Sequence, residues 1–214
     1  MNQDFVNKSL RLLAFLEKSC AMSQQFMQDI VQGWQAAIPI DTVLTMDALS
    51  TLDLAMPVTD TPTIILMGDN REMARYTGYD GQKQHFWQWL GRHILTPDQQ
   101  KIAFAHGTER PFCGLHLHEK RSGRFVDPIT GETLFLSDTK FESGSGWPSF
   151  FAPVAGAVTF HEDFSFGMKR VEVKSARSGI HLGHVFDDGP PPTYKRYCIN
   201  GNVLRFIPDI AEES

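Results

Sequence analysis

The chain has 214 residues, of which 42% are hydrophobic and 21% charged, with a net charge of -5. That length suits two small domains and that composition a globular protein, while the negative charge leaves no electrostatic case for nucleic acid or an anionic membrane. Three cysteines, at positions 20, 113 and 198, are too sparse for a disulfide framework. They point to a reducing, cytoplasmic setting in which any disulfide is transient and catalytic. The apolar run Leu10 to Leu16 is broken by Arg11 and closed by Glu17, so neither a membrane span nor a signal peptide is expected there.

In chain order, residues 9 to 17 read as a buried strand. Cys20-Ala21-Met22-Ser23 leads into a helix reaching about Gln35, because Phe26, Ile30 and Trp34 recur at four-residue spacing. Pro39 closes that region. Strands are predicted at Ile40 to Met46, at Thr61 to Met67 and, after the Gly68-Asp69-Asn70 turn, at Met73 to Thr77. A second helix then carries Phe86, Trp87, Leu90 and Ile94 on one face. This order predicts an α/β sandwich over residues 1–95, with a parallel strand pair followed by an antiparallel pair.

Thr96-Pro97-Asp98 punctuates the junction. Helical spacing is weak from Asp98 to His106, and a β-rich half opens at Gly107. Strands are predicted near Arg124 to Val126, Thr133 to Leu136, Ala157 to His161, Val171 to Lys174, Gly183 to Phe186 and Val203 to Ile207. Such spacing argues for a second domain, residues 96–214, that is mainly antiparallel β with two packed sheets.

The richest chemistry lies near the C-terminus: His181, His184, Arg196, Cys198 and Asn200 fall within about twenty positions. A thiol works as nucleophile in its thiolate form, which neighbouring cations favour, and histidine can hand a proton to a leaving oxygen. A lone cysteine in the apolar alternation Tyr197, Ile199, Val203, Leu204, Phe206 is more often a buried structural residue. The flanking Arg196, Asn200 and the histidines shift the balance to function. Metal ligation by His181 and His184 is disfavoured, since no cysteine or third ligand stands beside them. Asp187 and Asp188 before Gly189-Pro190 read as turn-formers.

The first half resembles thioredoxin-like domains. Cys20-Ala21-Met22-Ser23 stands where that family has Cys-x-x-Cys at a helix N-terminus, and Thr61-Pro62-Thr63 where it has its cis-proline strand. Ser23 replaces the second cysteine, so the usual dithiol cycle is closed to this domain. The resemblance implies either a monothiol redox relay at Cys20 or a docking module.

The second half, from about residue 95 to 209, resembles B-type methionine-R-sulfoxide reductases. The resemblance rests on Gly107-Thr108-Glu109, on Gly131 to Phe135, on Lys140 to Phe150 (with Gly144-Ser145-Gly146-Trp147-Pro148-Ser149), on His181 to Pro190, and on Arg196 to Asn200. It implies reduction of the R epimer of methionine sulfoxide, free or in proteins, as in repair after oxidative stress. Cys198 would be the nucleophile, His184 the proton donor, and His181, Asn200 and ordered water would place the sulfoxide oxygen. Arg196 would favour the thiolate, and Trp147 and Phe150 would bind the substrate. No cofactor is implied beyond an external thiol reductant such as thioredoxin or glutathione.

Two departures from that family matter. Where many members carry two Cys-x-x-Cys pairs on a structural zinc, this chain reads Asp127-Pro128-Ile129-Thr130 and Ser175-Ala176-Arg177-Ser178, so a zinc-free domain is expected. Where many carry a resolving cysteine, it has Ser145, which cannot condense with a sulfenic acid. Cys113 is the remaining candidate for that step. Rival readings are a non-catalytic module that binds oxidised methionine or a redox partner, and a metal-dependent enzyme using the two histidines.

Overall fold

All six residues of the strand Thr63–Gly68 are buried, so both of its faces must be covered. This strand, β3, sits inside a four-stranded sheet with β1 (Leu10–Phe15), β2 (Ile40–Val43) and β4 (Arg71–Thr77). The order is β2-β1-β3-β4, with β1 parallel to β2 and antiparallel to β3, and β4 antiparallel to β3. A parallel pair continued by an antiparallel pair is the arrangement expected from the sequence. The computed structural model describes residues 9–43, 54–167 and 169–209. The predicted continuation of the second strand to Met46 lies outside the described residues.

One face of this sheet packs Leu13, Phe15, Ile65 and Met67 against Val58 and Leu54. The other carries Tyr76, whose ring lies 5.6 Å from Phe86 of α2 (Lys83–Ile94). Phe26 of α1 (Ala21–Phe26) meets Phe86 edge-on at 5.1 Å, so both helices cover the same face. The first helix is shorter than predicted. It passes into a π-helical turn, Met27–Val31, and stops before Gly33, whose φ of +72° breaks the helical course. Trp34 therefore sits beyond the helix, yet it still stacks on Trp87 at 5.2 Å. A core position was legible there; its backbone state was not.

The described residues divide into two compact units between Ile94 and Leu95. The second begins with α3 (Pro97–Ala105), a nine-residue helix that hydrophobic spacing alone barely indicated. Its start is fixed by a capping box: Thr96 Oγ1 accepts from the Gln99 amide, Gln99 Oε1 accepts from the Thr96 amide, and Pro97 occupies the first turn.

Beyond α3 come two antiparallel sheets. A three-stranded sheet holds β13 (Arg205–Pro208), β5 (Gly123–Val126) and β6 (Thr133–Leu136) in that order. A six-stranded sheet runs β7-β8-β12-β11-β10-β9, formed by Lys140–Phe141, Ser149–Phe150, Arg196–Ile199, His181–Phe186, Arg170–Ser175 and Val158–Asp163. Aromatic rings join the two: Phe150 of β8 stacks on Phe135 of β6 at 4.4 Å and meets Phe125 of β5 at 5.0 Å. The strand holding Cys198 does not continue through Val203 and Phe206 as the apolar pattern suggested. It ends at Ile199, a 3-10 turn covers Gly201–Val203, and β13 starts anew in the other sheet.

Candidate active site

Cys198 lies on β12 directly opposite His184 on β11. Facing residues of an antiparallel pair point to the same side with Cβ atoms about 5 Å apart, so the ladder alone brings thiol and imidazole together. Gly183 allows that approach, because a Cβ there would lie 2.1 Å from the Cys198 carbonyl oxygen. A pocket of about 110 Å³ opens over the pair, lined by Thr108, Trp147, Arg170, Gly183, His184, Phe186, Cys198 and Asn200.

Each wall is held from behind. His184 Nε2 is 2.7 Å from Asp163 Oδ2, and a carboxylate only accepts, so Nε2 is the donor. Arg170 donates to the same Oδ2 at 2.7 Å, and the Ser165 amide donates to Oδ1 at 2.8 Å. The Ser165 amide and hydroxyl, with His184, hold the Asp163 carboxyl far below the usual carboxylate range.

Trp147 and Asn200 hang from one residue. Trp147 Nε1 donates to the Glu109 carbonyl at 3.1 Å, and the Glu109 amide donates to Asn200 Oδ1 at 3.0 Å. The Asn200 Nδ2 donates to the Leu182 carbonyl at 2.9 Å. Those backbone partners fix the amide orientation and leave one Nδ2 proton for the pocket. The Glu109 carboxylate, 8% exposed, accepts the amides of Gly201 and Asn202 at 2.7 and 2.9 Å. Burial raises the pKa of this carboxyl, while those two amides pull it down.

His181 lies deeper, 1% exposed, and does not line the pocket. In β11 it is three residues from His184, which in a regular strand would put the rings on opposite faces. A bulge prevents this: Val173 pairs with Gly183 and Lys174 with His181, so Leu182 is an extra residue and both imidazoles turn to one side, with ring centroids 5.4 Å apart. His181 Nδ1 lies 2.6 Å from Glu172 Oε1. Burial lowers its pKa to about 4 despite that carboxylate, so the ring is neutral near pH 7.

Two expectations need correction. Phe150, expected at the substrate, does not line the pocket: it is fully buried in the aromatic layer between the sheets, because alternation along β8 turns its neighbour Ser149 the other way. The balance at Cys198 is also not the one expected. Arg196 does favour its thiolate, but its guanidinium is held in a double hydrogen bond by Asp188, at 2.9 and 2.9 Å, and lies over the Phe186 ring. Burial dominates and raises the Cys198 pKa, against the opposing effects of Ser145 and Arg196. Asp188, read as a turn-former, is thus the partner of Arg196.

Ser145 Oγ is 3.9 Å from Cys198 Sγ. Cys113 is an exposed, free thiol on a turn whose Phe112 amide donates to the Gly146 carbonyl at 2.8 Å. The stretches Asp127 to Thr130 and Ser175 to Ser178 are joined directly. Asp127 accepts the Ile129 and Thr130 amides through Oδ1 and the Ser178 hydroxyl through Oδ2 at 2.5 Å, with Asp127, Thr130, Ser175 and Ser178 all buried. In the N-terminal unit, Cys20 caps α1, and its Sγ donates to the Thr61 carbonyl, 3.3 Å away, beside the cis Thr61–Pro62 bond. The Ser23 hydroxyl and amide lower the Cys20 pKa.

Residues 95–208 match the SelR domain. The chain belongs to the SelR-domain family. Among its relatives, the peptide methionine sulfoxide reductase MsrB of Agrobacterium fabrum is 54% identical over 118 residues, covering 55% of this chain and 87% of that protein. The protein of the same name from Methanosarcina mazei is 51% identical over 116 residues, 54% of this chain and 83% of that one. The mitochondrial methionine-R-sulfoxide reductase B3 of Mus musculus is 48% identical over 124 residues, 58% of this chain and 49% of that protein. A crystal structure of the reduced periplasmic thioredoxin SoxS from Paracoccus pantotrophus is 35% identical, covering 40% of this chain and 95% of that one, with a TM-score of 0.37.

Within this SelR domain the sequence reading found Cys198, His184, Asn200 and Trp147, which share one pocket. It missed Asp163, Arg170, Glu172 and Glu109 as their supports. Asp163 closes an exposed strand before a turn, and Glu172 alternates with Lys174 in Val-Glu-Val-Lys, so neither pattern betrays a charge turned inward. No described helix is long and apolar enough to cross a membrane.

Proposed function

We propose that this chain is a peptide methionine-R-sulfoxide reductase that uses Cys198 as nucleophile and an external thiol as reductant. The observation that carries this reading is the thiol directly opposite an imidazole in a small, aromatic-walled pocket, within a domain half identical to proteins named for that activity. The substrate methyl packs on the Trp147 indole, and the sulfoxide oxygen faces His184 and the remaining Asn200 N–H. Because burial keeps Cys198 protonated at rest, the thiol itself brings the proton that the oxygen needs. As Sγ attacks the sulfoxide sulfur, that proton passes by way of His184 to the oxygen. Oxygen ends on Cys198 as a sulfenic acid, and the substrate leaves as the thioether. His181, neutral and behind His184, fixes the ring rather than touching substrate; Arg196 favours the thiolate once it forms.

A second thiol then condenses with the sulfenic acid, expelling the oxygen as water and leaving a disulfide. Cys113 takes this role: it is the other thiol of the domain, and its turn is tied to the loop holding Ser145 and Trp147. Two electrons from thioredoxin or glutathione reset the pair. Neither a cofactor nor structural zinc takes part. Residues 1–95 form a thioredoxin-like domain and residues 96–214 the reductase. Cys20 serves as a monothiol relay, which its lowered pKa and helix-capping position favour and its lack of a partner at Ser23 limits. Such a protein works in the reducing cytoplasm.

Turnover on the separate R and S epimers tests this reading. Wild type should reduce the R form alone, Cys198→Ser neither, and His184→Ala should be slower by about two to four powers of ten with its fold intact. Activity retained in Cys198→Ser would end the mechanism. A protein that binds the R epimer without turning it over would instead be a recognition module.

A further inference from the structure

Behind the pocket, around His181, three side chains from three elements converge on one point. His106 is the C-cap of α3, in a left-handed conformation (φ 52°, ψ 35°) that swings its ring toward the six-stranded sheet. Glu172 comes from β10 and His181 from the start of β11. His106 Nδ1 and His181 Nδ1 each lie 2.6 Å from the same oxygen, Glu172 Oε1. The three potential ligand atoms are all within 4.8 Å of one another.

We propose that His106, Glu172 and His181 form a binding site for a divalent transition ion, zinc or a similar borderline metal. Two imidazoles and one carboxylate are a donor set that takes zinc in tetrahedral geometry, the fourth position going to solvent. The site has an outer and an inner side: His106 keeps 58% of its side chain exposed, while Glu172 and His181 are 8% and 1% exposed. An ion can therefore enter past His106 and meet a pre-formed inner pair. Binding would replace the two hydrogen bonds to Oε1 by bonds from each Nδ1 to the metal, leaving Nε2 as the position for each ring's proton. For His106 that nitrogen faces water. For His181, Nε2 is buried and has no hydrogen-bond partner, so a proton there displaces no existing bond. The opposing charge is Lys174, whose Nζ is 3.3 Å from the other oxygen, Oε2; it is partly exposed and free to turn to solvent. None of these three ligands lines the pocket or touches the sulfoxide in the reading above, so the site stands whether or not that reading does.

Thiols bind the same metals, so the test uses the full-length chain with Cys20, Cys113 and Cys198 all changed to serine. Titration with cobalt and zinc, followed by cobalt absorbance and calorimetry, should show one equivalent bound. In solution NMR, the ring signals of His106 and His181 should move on adding zinc, while those of His85 and His93, in the N-terminal unit, should not. His106→Asn removes a ligand while suiting the left-handed backbone, and should weaken binding by about tenfold or more. Lys174→Met should strengthen it. Absence of a one-equivalent site in the thiol-free protein, or binding unchanged by His106→Asn with the His181 signals still, would overturn the proposal.

Discussion

The 3.9 Å between Ser145 Oγ and Cys198 Sγ makes a quantitative forecast for Ser145→Cys. A disulfide needs sulfurs about 2.05 Å apart, so the gap to close is roughly 1.9 Å. The longer carbon–sulfur bond and a turn about one side-chain torsion supply that without moving β12, and Gly144 and Gly146 flank the residue on both sides. What is lost is small: Ser145 shares a hydrogen bond with Ser143 at 2.8 Å, and losing it costs about 1 kcal/mol. A thiol at this position meets the Cys198 sulfenic acid at an effective concentration of about a millimolar or more. It should therefore outrun 0.1 mM external thiol by about tenfold or better. The assay is a single turnover in the Cys113→Ser background with one equivalent of methionine-R-sulfoxide. Without Ser145→Cys, the sulfenic acid should persist and be trapped by dimedone. With it, trapping should fall to background while intact mass shows the loss of two hydrogens and mapping shows the new pair. Equal dimedone trapping in both proteins would mean that Ser145 does not face the reacting sulfur, and the site geometry would be wrong.

Ser178→Ala leaves one oxygen of buried Asp127 unpaired and should cost about 1–3 kcal/mol, read as a lower urea midpoint for the reductase unit; an unchanged midpoint, or one equivalent of zinc still present in the His106→Asn protein purified without added metal, would refute the view that this bond replaces the metal. Because burial raises the Cys198 pKa above its ordinary 9.0, alkylation of Cys198 in a Cys20→Ser, Cys113→Ser background should keep accelerating past pH 9, and Ser145→Ala should push the profile further up. A plateau reached by pH 7 would contradict that assignment. Cys113→Ser alone should stall multiple turnover with thioredoxin after one equivalent, and a wild-type rate would pass the resolving role elsewhere. Cys20→Ser should slow turnover only where glutathione is limiting; identical rates under both reductants, with no mixed disulfide at Cys20 by mass spectrometry, would leave its domain a docking role.

Much of this was legible in the sequence because it depends on pattern or on identity. The order of strands and helices followed from apolar spacing and turn residues, and the thiol, imidazole and indole were recognisable from their motifs. Local hydrogen bonding was less visible: the capping box at Thr96 and Gln99 was present in the sequence, yet weak hydrophobic spacing hid α3. The break after Ile199 was illegible for a different reason. It depends on the Glu109 carboxylate, some ninety residues earlier, reaching the amides of Gly201 and Asn202. The reversal at Cys198 is of the same kind. Sequence shows that Arg196 is two positions away, but not that Asp188 already holds its guanidinium or that burial outweighs its effect on the sulfur.

The extra residue in β11 has an arithmetic side. Along a strand, side chains obey parity, and positions 181 and 184 have opposite parity. Counting Leu182 as a skipped beat restores it, so the number of residues between the two imidazoles belongs to the site as much as the imidazoles do. An apolar replacement of Leu182 changes only packing. A single deletion or insertion at that point sends one ring through the sheet into the phenylalanine layer, with every atom of the catalytic inventory still present in the chain. Homologous chains can therefore be expected to vary in what fills the gap before they vary in its length.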